Sequence, residues 1–305
     1  MHVLVCTAKE QDKYQAALAA CLPEARVHAG NAAPACDYAV VWQPPAGLFE
    51  QQRRLKALFC LGAGVNGLLA MPSLPRDVPL VRMVDGGMAA QMVEYALYVA
   101  LREFRRLPDY RRAQLQARWA PQPARARGEF AIGVLGLGVL GGAVARALAE
   151  FGFAVSGWSR NPQSITGVHC EYGPQGLHEV LARSQVLMLF LPLTRATQGL
   201  LDRDRLAQLP AGAAVVNLSR GELIDEGALL AALDSGRVGA AYLDVFQSEP
   251  LPADHPFWRH SNVRITPHVA ALTDMHLACS QIADKIRRLE AGLAITGVVE
   301  HLRGY

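Results

Sequence analysis

The run Ala131-Ile132-Gly133-Val134-Leu135-Gly136-Leu137-Gly138-Val139-Leu140-Gly141 decides the fold. Its first five residues have the character of a short buried strand, and Ala143-Val144-Ala145-Arg146-Ala147-Leu148-Ala149-Glu150 after it reads as helix. Between them stands G-x-G-x-x-G. Glycine turns are common and the motif alone says little; strand before it and helix after it give it meaning. The first glycine permits a tight turn, the second lets the backbone approach a pyrophosphate, and the third lets helix and strand pack closely. The pyrophosphate then rests on the helix N-terminus, where free backbone N–H groups and the dipole favour an anion. A second strand, 154–158, ends at Ser159-Arg160 and completes a dinucleotide-binding βαβ unit.

The same alternation extends outward on both sides. Apolar runs at 186–191, 214–217, 239–245 and 263–266 read as strands, with helices at 202–209 and 226–235 between them. The first part alternates likewise, with strands at 2–6, 38–42 and 57–60 and helices at 11–21 and 48–56. Such alternation implies parallel sheets with helices on their faces. Met88, Met92, Tyr95 and Val99 recur at helical spacing, so a helix over 88–106 buries one side. A last helix over 273–292 carries the chain back to the first domain. The expected fold is α/β: two Rossmann-like doubly wound parallel-sheet domains, the nucleotide domain (98–274) inserted in a discontinuous substrate-binding domain (1–97 and 275–305). Residues 109–128, rich in Arg, Gln and Pro, read as an arm for a dimer contact or as a surface loop.

Composition narrows the class. At 305 residues the chain exceeds one typical core and suits two domains. A content of 51% hydrophobic and 19% charged residues is that of an ordinary folded soluble protein. The net charge of +3 is too small to imply a nucleic-acid partner. The basic residues between Arg102 and Arg127 come with no aromatic-interleaved binding stripe and no zinc-type spacing, and read as a solvated helix face. Six scattered cysteines show no CxxC pair or Cys/His spacing, so no metal site is expected and they read as small core residues of a reducing compartment. The apolar N-terminus has no basic flank or cleavage site and is a first strand. No apolar run nears the roughly 18 residues of a membrane span. A cytoplasmic location is expected.

Four strand ends in the second half carry reactive side chains: Leu191-Pro192-Leu193-Thr194, 217–221, 244–250 and Thr266-Pro267-His268. At one edge of the sheet, an arginine, a carboxylate and a histidine suit reduction of a 2-keto acid. Arg220 has the donor fork to hold a carboxylate or polarise a carbonyl. His268 can give a proton to the oxygen that becomes a hydroxyl. A carboxylate at Glu249 beside it would favour the protonated imidazole. In the first half, Leu61-Gly62-Ala63-Gly64-Val65-Asn66 follows a strand, where open α/β sheets bind ligands, although a plain strand-to-helix turn would look alike.

Taken in order and spacing, Gly62-Ala63-Gly64-Val65, the glycine loop, Leu191-Pro192-Leu193-Thr194, the run 217–221, Leu243-Asp244-Val245-Phe246 with Glu249-Pro250-Leu251, and Thr266-Pro267-His268 resemble the D-isomer-specific 2-hydroxyacid dehydrogenases. The likeness covers nearly the whole chain. Within the family, Val41-Trp42-Gln43-Pro44-Pro45, residues 61–66 and Trp158-Ser159-Arg160 are most similar to the short glyoxylate/hydroxypyruvate reductase A branch. The resemblance implies that Arg220, Glu249 and His268 are the catalytic triad, with His268 the proton donor. It implies that backbone N–H groups of Gly64 and Val65 hold the substrate carboxylate and that Asp244 contacts the nicotinamide carboxamide. It assigns Gly136, Gly138, Val139, Leu140, Gly141, Pro192, Thr197 and Leu218 to the dinucleotide, and a homodimer through the nucleotide domains. Trp42, at a strand end, would close the pocket over a small substrate or serve as a core aromatic.

The cofactor expected is NADP, with NADPH preferred over NADH. An NAD site places an acid at the end of the second strand, to accept from the ribose 2′-OH. Ser159 and Arg160 stand there instead, and a hydroxyl and a guanidinium can bind a 2′-phosphate that a carboxylate would repel. Two other readings compete with a small 2-keto acid reductase: a cofactor-sensing binding protein similar to corepressors of this fold, and a phosphoglycerate dehydrogenase.

Overall fold

A computed structural model describes residues 1–31 and 33–300. In chain order, β1 (His2–Thr7), α1 (Gln11–Cys21), β2 (Arg26–Ala29), β3 (Tyr38–Trp42), β4 (Ala57–Cys60), the one-turn α2 (Asn66–Leu69) and β5 (Leu80–Val81) come first. They are followed by α3 (Met88–Phe104), α4 (Leu107–Leu115), β6 (Ala131–Leu135), α5 (Val139–Glu150), β7 (Ala154–Ser159), β8 (Val168–Tyr172) and α6 (Gly173–Arg183). Then come β9 (Val186–Leu189), α7 (Arg203–Gln208), β10 (Ala213–Asn217), α8 (Glu226–Asp234), β11 (Val238–Leu243), β12 (Val263–Ile265) and α9 (Met275–Glu290). The chain divides into two compact units, one of Met1–Met88 with the segment from Leu272 onward, the other of Ala89–Ala271.

In the first unit five parallel strands lie in the order β2-β1-β3-β4-β5. Val3, Leu4, Val5, Ala39, Val40, Leu58 and Phe59 are all buried. Continuous apolar runs of this kind mark a sheet covered on both faces. α9 returns the chain to this unit and packs against α1.

In the second unit seven parallel strands lie in the order β12-β11-β10-β9-β6-β7-β8. Side chains alternate between two cores, as the period of two demands. Leu135, Leu187, Leu189, Val215 and Leu243 join one core with Leu181, Leu206 and Leu229. Ile132, Val134, Val186, Met188, Val216 and Tyr242 join the other with Val144 and Leu148. The predicted face of α3 enters this second core through Met92 and Val99, with Ala96 and Ala100 beside them, and Tyr95 is half-buried at its margin.

Several element boundaries differ from the sequence reading. The helix expected over 48–56 is only a 3-10 turn, Leu48–Gln51. The segment 109–128 begins inside a true helix, α4, none of whose residues is buried. The edge strands β2 and β8, and the helix α6, were not anticipated. Among the described residues no helix is long and apolar enough to cross a membrane.

Candidate active site

The second unit's sheet lines up its carboxyl ends. Leu135 pairs with Trp158 on one side and Leu189 on the other; Leu189 pairs with Asn217, Asn217 with Leu243, and Leu243 with Ile265. These residues form one row across six strands. The residues of this unit that the sequence singles out lie within eight positions past that row: Gly136, Gly138, Val139, Leu140, Gly141, Ser159, Arg160, Pro192, Thr197, Leu218, Arg220, Asp244, Glu249 and His268.

The three glycines after β6 do three different things. Gly136 has φ +102°, and a Cβ there would lie 2.6 Å from the Phe190 carbonyl oxygen. A Cβ on Gly141 would come within 1.9 Å of the Gly136 carbonyl oxygen, so α5 rests directly on the turn. A Cβ on Gly138 would meet nothing within 4 Å. Gly138 is the N-cap of α5 and no side chain caps that helix, while Val139 is 48% exposed. The first N–H groups of α5 therefore have no partner inside the helix and open space before them, which fits a pyrophosphate. Ser159 and Arg160 end β7, the strand beside β6. The Ser159 hydroxyl donates to the Asn161 carbonyl at 2.7 Å, so the positive charge in this corner is that of Arg160. On the other flank, the Thr197 hydroxyl donates to the Pro192 carbonyl at 2.6 Å and accepts the Thr194 N–H at 2.8 Å. Leu218 is buried under the same edge.

The three reactive side chains are presented by loops tied to one another. The side chain of Asn217, 1% exposed, accepts the Ser219 N–H at 3.1 Å and donates to the Arg220 carbonyl at 2.8 Å. This clamp ties the backbone of 217–220 to one buried side chain, with Arg220 itself in an extended conformation. Next to it, a Cβ on Gly221 would fall 1.9 Å from the Phe246 carbonyl carbon. The Arg220 loop thus lies in backbone contact with the loop that bears Glu249.

The His268 loop is tied to the same region through Asp244. The Asp244 carbonyl accepts the His268 N–H at 2.8 Å. Its carboxylate accepts the Val269 N–H at 2.9 Å, the Ala270 N–H at 3.0 Å and the Thr266 hydroxyl at 2.6 Å. Asp244 is 1% exposed, so the structure gives it the work of fixing this loop, which the sequence reading did not assign. His268 itself has φ +55°, a left-handed conformation costly for a residue with a Cβ. His268 Nδ1 lies 2.7 Å from Glu249 Oε2, while Glu249 Oε1 accepts the Phe246 N–H at 3.0 Å. An ionised carboxylate only accepts, so Nδ1 carries the proton in this pair. Nε2 is the ring nitrogen that lies outside this pair.

In the first unit, the Gly62 loop follows β4. A Cβ on Gly62 would come within 2.2 Å of the Trp42 ring, so the indole's six-membered ring lies directly against that glycine. Trp42 is 38% exposed rather than a core aromatic. Gly64 is half-buried and Val65 buried, the latter forming the N-cap of α2.

A parallel sheet with a glycine-turn helix N-terminus and an arginine, a glutamate and a histidine at adjoining strand ends defines a dinucleotide-dependent enzyme. Residues 97–270 match the family described as D-isomer specific 2-hydroxyacid dehydrogenase, NAD binding domain. The glyoxylate/hydroxypyruvate reductase A of Serratia proteamaculans is 47% identical over 302 residues, 96% of each chain. Among solved structures, the D-isomer specific 2-hydroxyacid dehydrogenase of Xanthobacter autotrophicus Py2, in complex with NADPH and MES, superposes with a TM-score of 0.94 at 42% identity over 99% of each chain. The NADPH-dependent glyoxylate/hydroxypyruvate reductase of Sinorhizobium meliloti, in complex with NADP and sulfate, gives a TM-score of 0.92 at 36% identity, covering 100% of this chain and 99% of that one. The protein belongs to the D-isomer-specific 2-hydroxyacid dehydrogenase family and is an NAD(P)-dependent oxidoreductase.

Proposed function

We propose that the protein reduces glyoxylate or hydroxypyruvate to the corresponding 2-hydroxy acid with NADPH. The observation that carries this reading is the 2.7 Å pair of His268 Nδ1 with Glu249 Oε2, at the same sheet edge as Arg220 and the glycine turn. The reduced cofactor supplies the hydride that the keto carbon takes up. His268 gives its Nε2 proton to the keto oxygen, and Glu249 holds the ring tautomer and stabilises the imidazolium before transfer. Arg220 binds the substrate carboxylate or polarises the carbonyl with its fixed fork of donors. In the first unit, the backbone N–H groups of Gly64 and Val65 and the indole of Trp42 are assigned as substrate contacts. Gly136, Gly138, Val139, Leu140 and Gly141 take the pyrophosphate, with Pro192, Thr197 and Leu218 beside the rest of the dinucleotide.

NADPH is favoured over NADH by the absence of an acid at the end of β7 and by the presence of Arg160 there. The NADPH or NADP held by the Xanthobacter and Sinorhizobium proteins supports the same choice. We assign the protein to the cytoplasm as a homodimer.

The test is the rate of NADPH and NADH oxidation with glyoxylate, hydroxypyruvate, pyruvate and phenylpyruvate, repeated for His268→Ala. The first two substrates with NADPH give the highest kcat/KM, and His268→Ala loses at least ~100-fold in kcat while NADPH affinity changes little. A clear NADH preference overturns the cofactor assignment. Undiminished turnover in His268→Ala overturns the acid.

A further inference from the structure

The strand that delivers His268 is the shortest of its sheet and lies at one edge. β12 has three residues, Val263–Ile265, and among the described residues pairs only with β11. The loop after it must nevertheless hold an imidazole at φ +55°. Asp244 fixes the loop from the β11 side, through the hydrogen bonds described above. A second anchor comes from an element that ordinary strand-end reasoning does not bring to mind, the helix α3.

Tyr95 lies on α3, with its hydroxyl 3.0 Å from the Thr266 hydroxyl. The Thr266 hydroxyl lies 2.6 Å from Asp244 Oδ1. The direction of the chain follows from chemistry. An ionised carboxylate has no proton to give, so Thr266 spends its single proton on Asp244. Tyr95 must then be the donor to Thr266, and burial keeps its phenol neutral by pushing it above its ordinary range. The order is Tyr95 O–H to Thr266 O–H to the Asp244 carboxylate, and that carboxylate grips the Val269 and Ala270 N–H groups on the far side of His268. The α3 end of the chain is rigid, because Met92, Ala96 and Val99 pack in the same core as Val216, Tyr242 and Ala270.

We propose that Tyr95 and Thr266 are positioning residues for His268: together they orient the Asp244 carboxylate, and so fix the backbone that presents the imidazole to Glu249 and substrate. This rests on the reading of His268 as the proton donor. Thr266 is the residue that has to bridge. Its methyl cannot substitute for the hydroxyl, whereas serine at this position keeps the hydroxyl and loses only the methyl. Tyr95 contributes one donor from a well-packed helix, so its loss is milder than that of Thr266.

The experiment compares Thr266→Val, Thr266→Ser and Tyr95→Phe with the unaltered full-length chain, by steady-state kinetics and by amide hydrogen exchange at Val269 and Ala270. Thr266→Val is expected to lower kcat about 10-fold or more with the KM for NADPH within about 2-fold, because only the proton-transfer geometry is disturbed. Tyr95→Phe lowers kcat by about 3-fold or more, and Thr266→Ser stays within about 3-fold of the original. Exchange at Val269 and Ala270 rises about 10-fold in Thr266→Val and returns towards the original in Thr266→Ser, since local opening of the loop becomes easier. Unchanged exchange in Thr266→Val overturns the proposal, whatever the rate. Faster exchange with unchanged kcat overturns it too, because the chain would then be structural only. The exchange measurement needs no turnover, so a protein inactive on every 2-keto acid would refute the proposed function while leaving this loop anchor tested on its own terms.

Discussion

Lys285 shows how far a single side chain can act against the fold that contains it. It lies on α9 and is 5% exposed, with Gln281 Oε1 at 3.0 Å accepting from its ammonium. Burial, and then the nearby Arg82 guanidinium, lower its pKa from 10.5 to about 8, against a smaller opposing pull from Asp284. The folded state therefore binds this proton less tightly than the unfolded chain does. Below about pH 8 both states are protonated and the full cost of the buried charge is present; between about 8 and 10.5 the unfolded state holds more protons, so the cost falls as pH rises. Lys285→Met keeps the length of the aliphatic stem and removes the charge. It should stabilise the protein by about 2 kcal/mol at pH 7, with the gain shrinking towards zero near pH 10.5. Denaturant unfolding of both proteins at several pH values measures this, and a gain that is constant with pH would refute the assignment to charge burial.

At the scale of elements, the glycine turn before α5 separates two effects that a motif search merges. Gly141 supports packing: its Cβ would overlap the Gly136 carbonyl, which is backbone and cannot swing aside. Gly138 faces open space at φ −73°, a conformation that alanine accepts. Gly141→Ala is thus expected to destabilise the protein by about 3 kcal/mol or more, as backbone overlaps do. Gly138→Ala should leave the melting temperature of the cofactor-free protein nearly unchanged and weaken NADPH binding by about 10-fold or more, since the added methyl occupies the approach to the helix N-terminus. Thermal unfolding without cofactor and fluorescence titration with NADPH separate the two. Equal losses of stability in both variants would refute the division of roles.

What the sequence made legible at this scale follows from burial. β6, β9, β10 and β11 are central strands, apolar on both faces, and their runs stand out. β8 is an edge strand carrying His169 and Glu171, whose side chains pair with each other at 2.6 Å in partly exposed surroundings, so no apolar run announces it. α6 opens with Gly173-Pro174, residues that read as a turn but tolerate the first positions of a helix; its buried Leu177, Val180 and Leu181 keep helical spacing. Asn217 and Asp244 were visible as strand-end residues. Their clamping roles depend on which backbone groups face them, and that is set by pairing between strands distant in sequence. Tyr95 was readable only as one member of a buried stripe.

For the whole molecule, α4 and the segment after it expose large apolar side chains. Trp119 is 97% exposed, Leu115 72% and Leu107 48%, among the exposed arginines Arg105, Arg111 and Arg118. A tryptophan so open to water is unusual on an isolated protein, and Trp, Tyr and Arg are the residues that concentrate at protein interfaces. This pattern favours the arm reading of 109–128 over that of a solvated loop, and with it the homodimer. Light scattering coupled to gel filtration should give about twice the 32.9 kDa of one chain. The double variant Leu115→Ser with Trp119→Ser removes the largest exposed apolar groups without touching a buried one, so it should keep the original fold by circular dichroism and run as a monomer at micromolar concentration. An original protein that is already monomeric under those conditions would refute the homodimer. A variant that remains dimeric would instead place the interface elsewhere, and the exposed indole of Trp119 would then need another occupant.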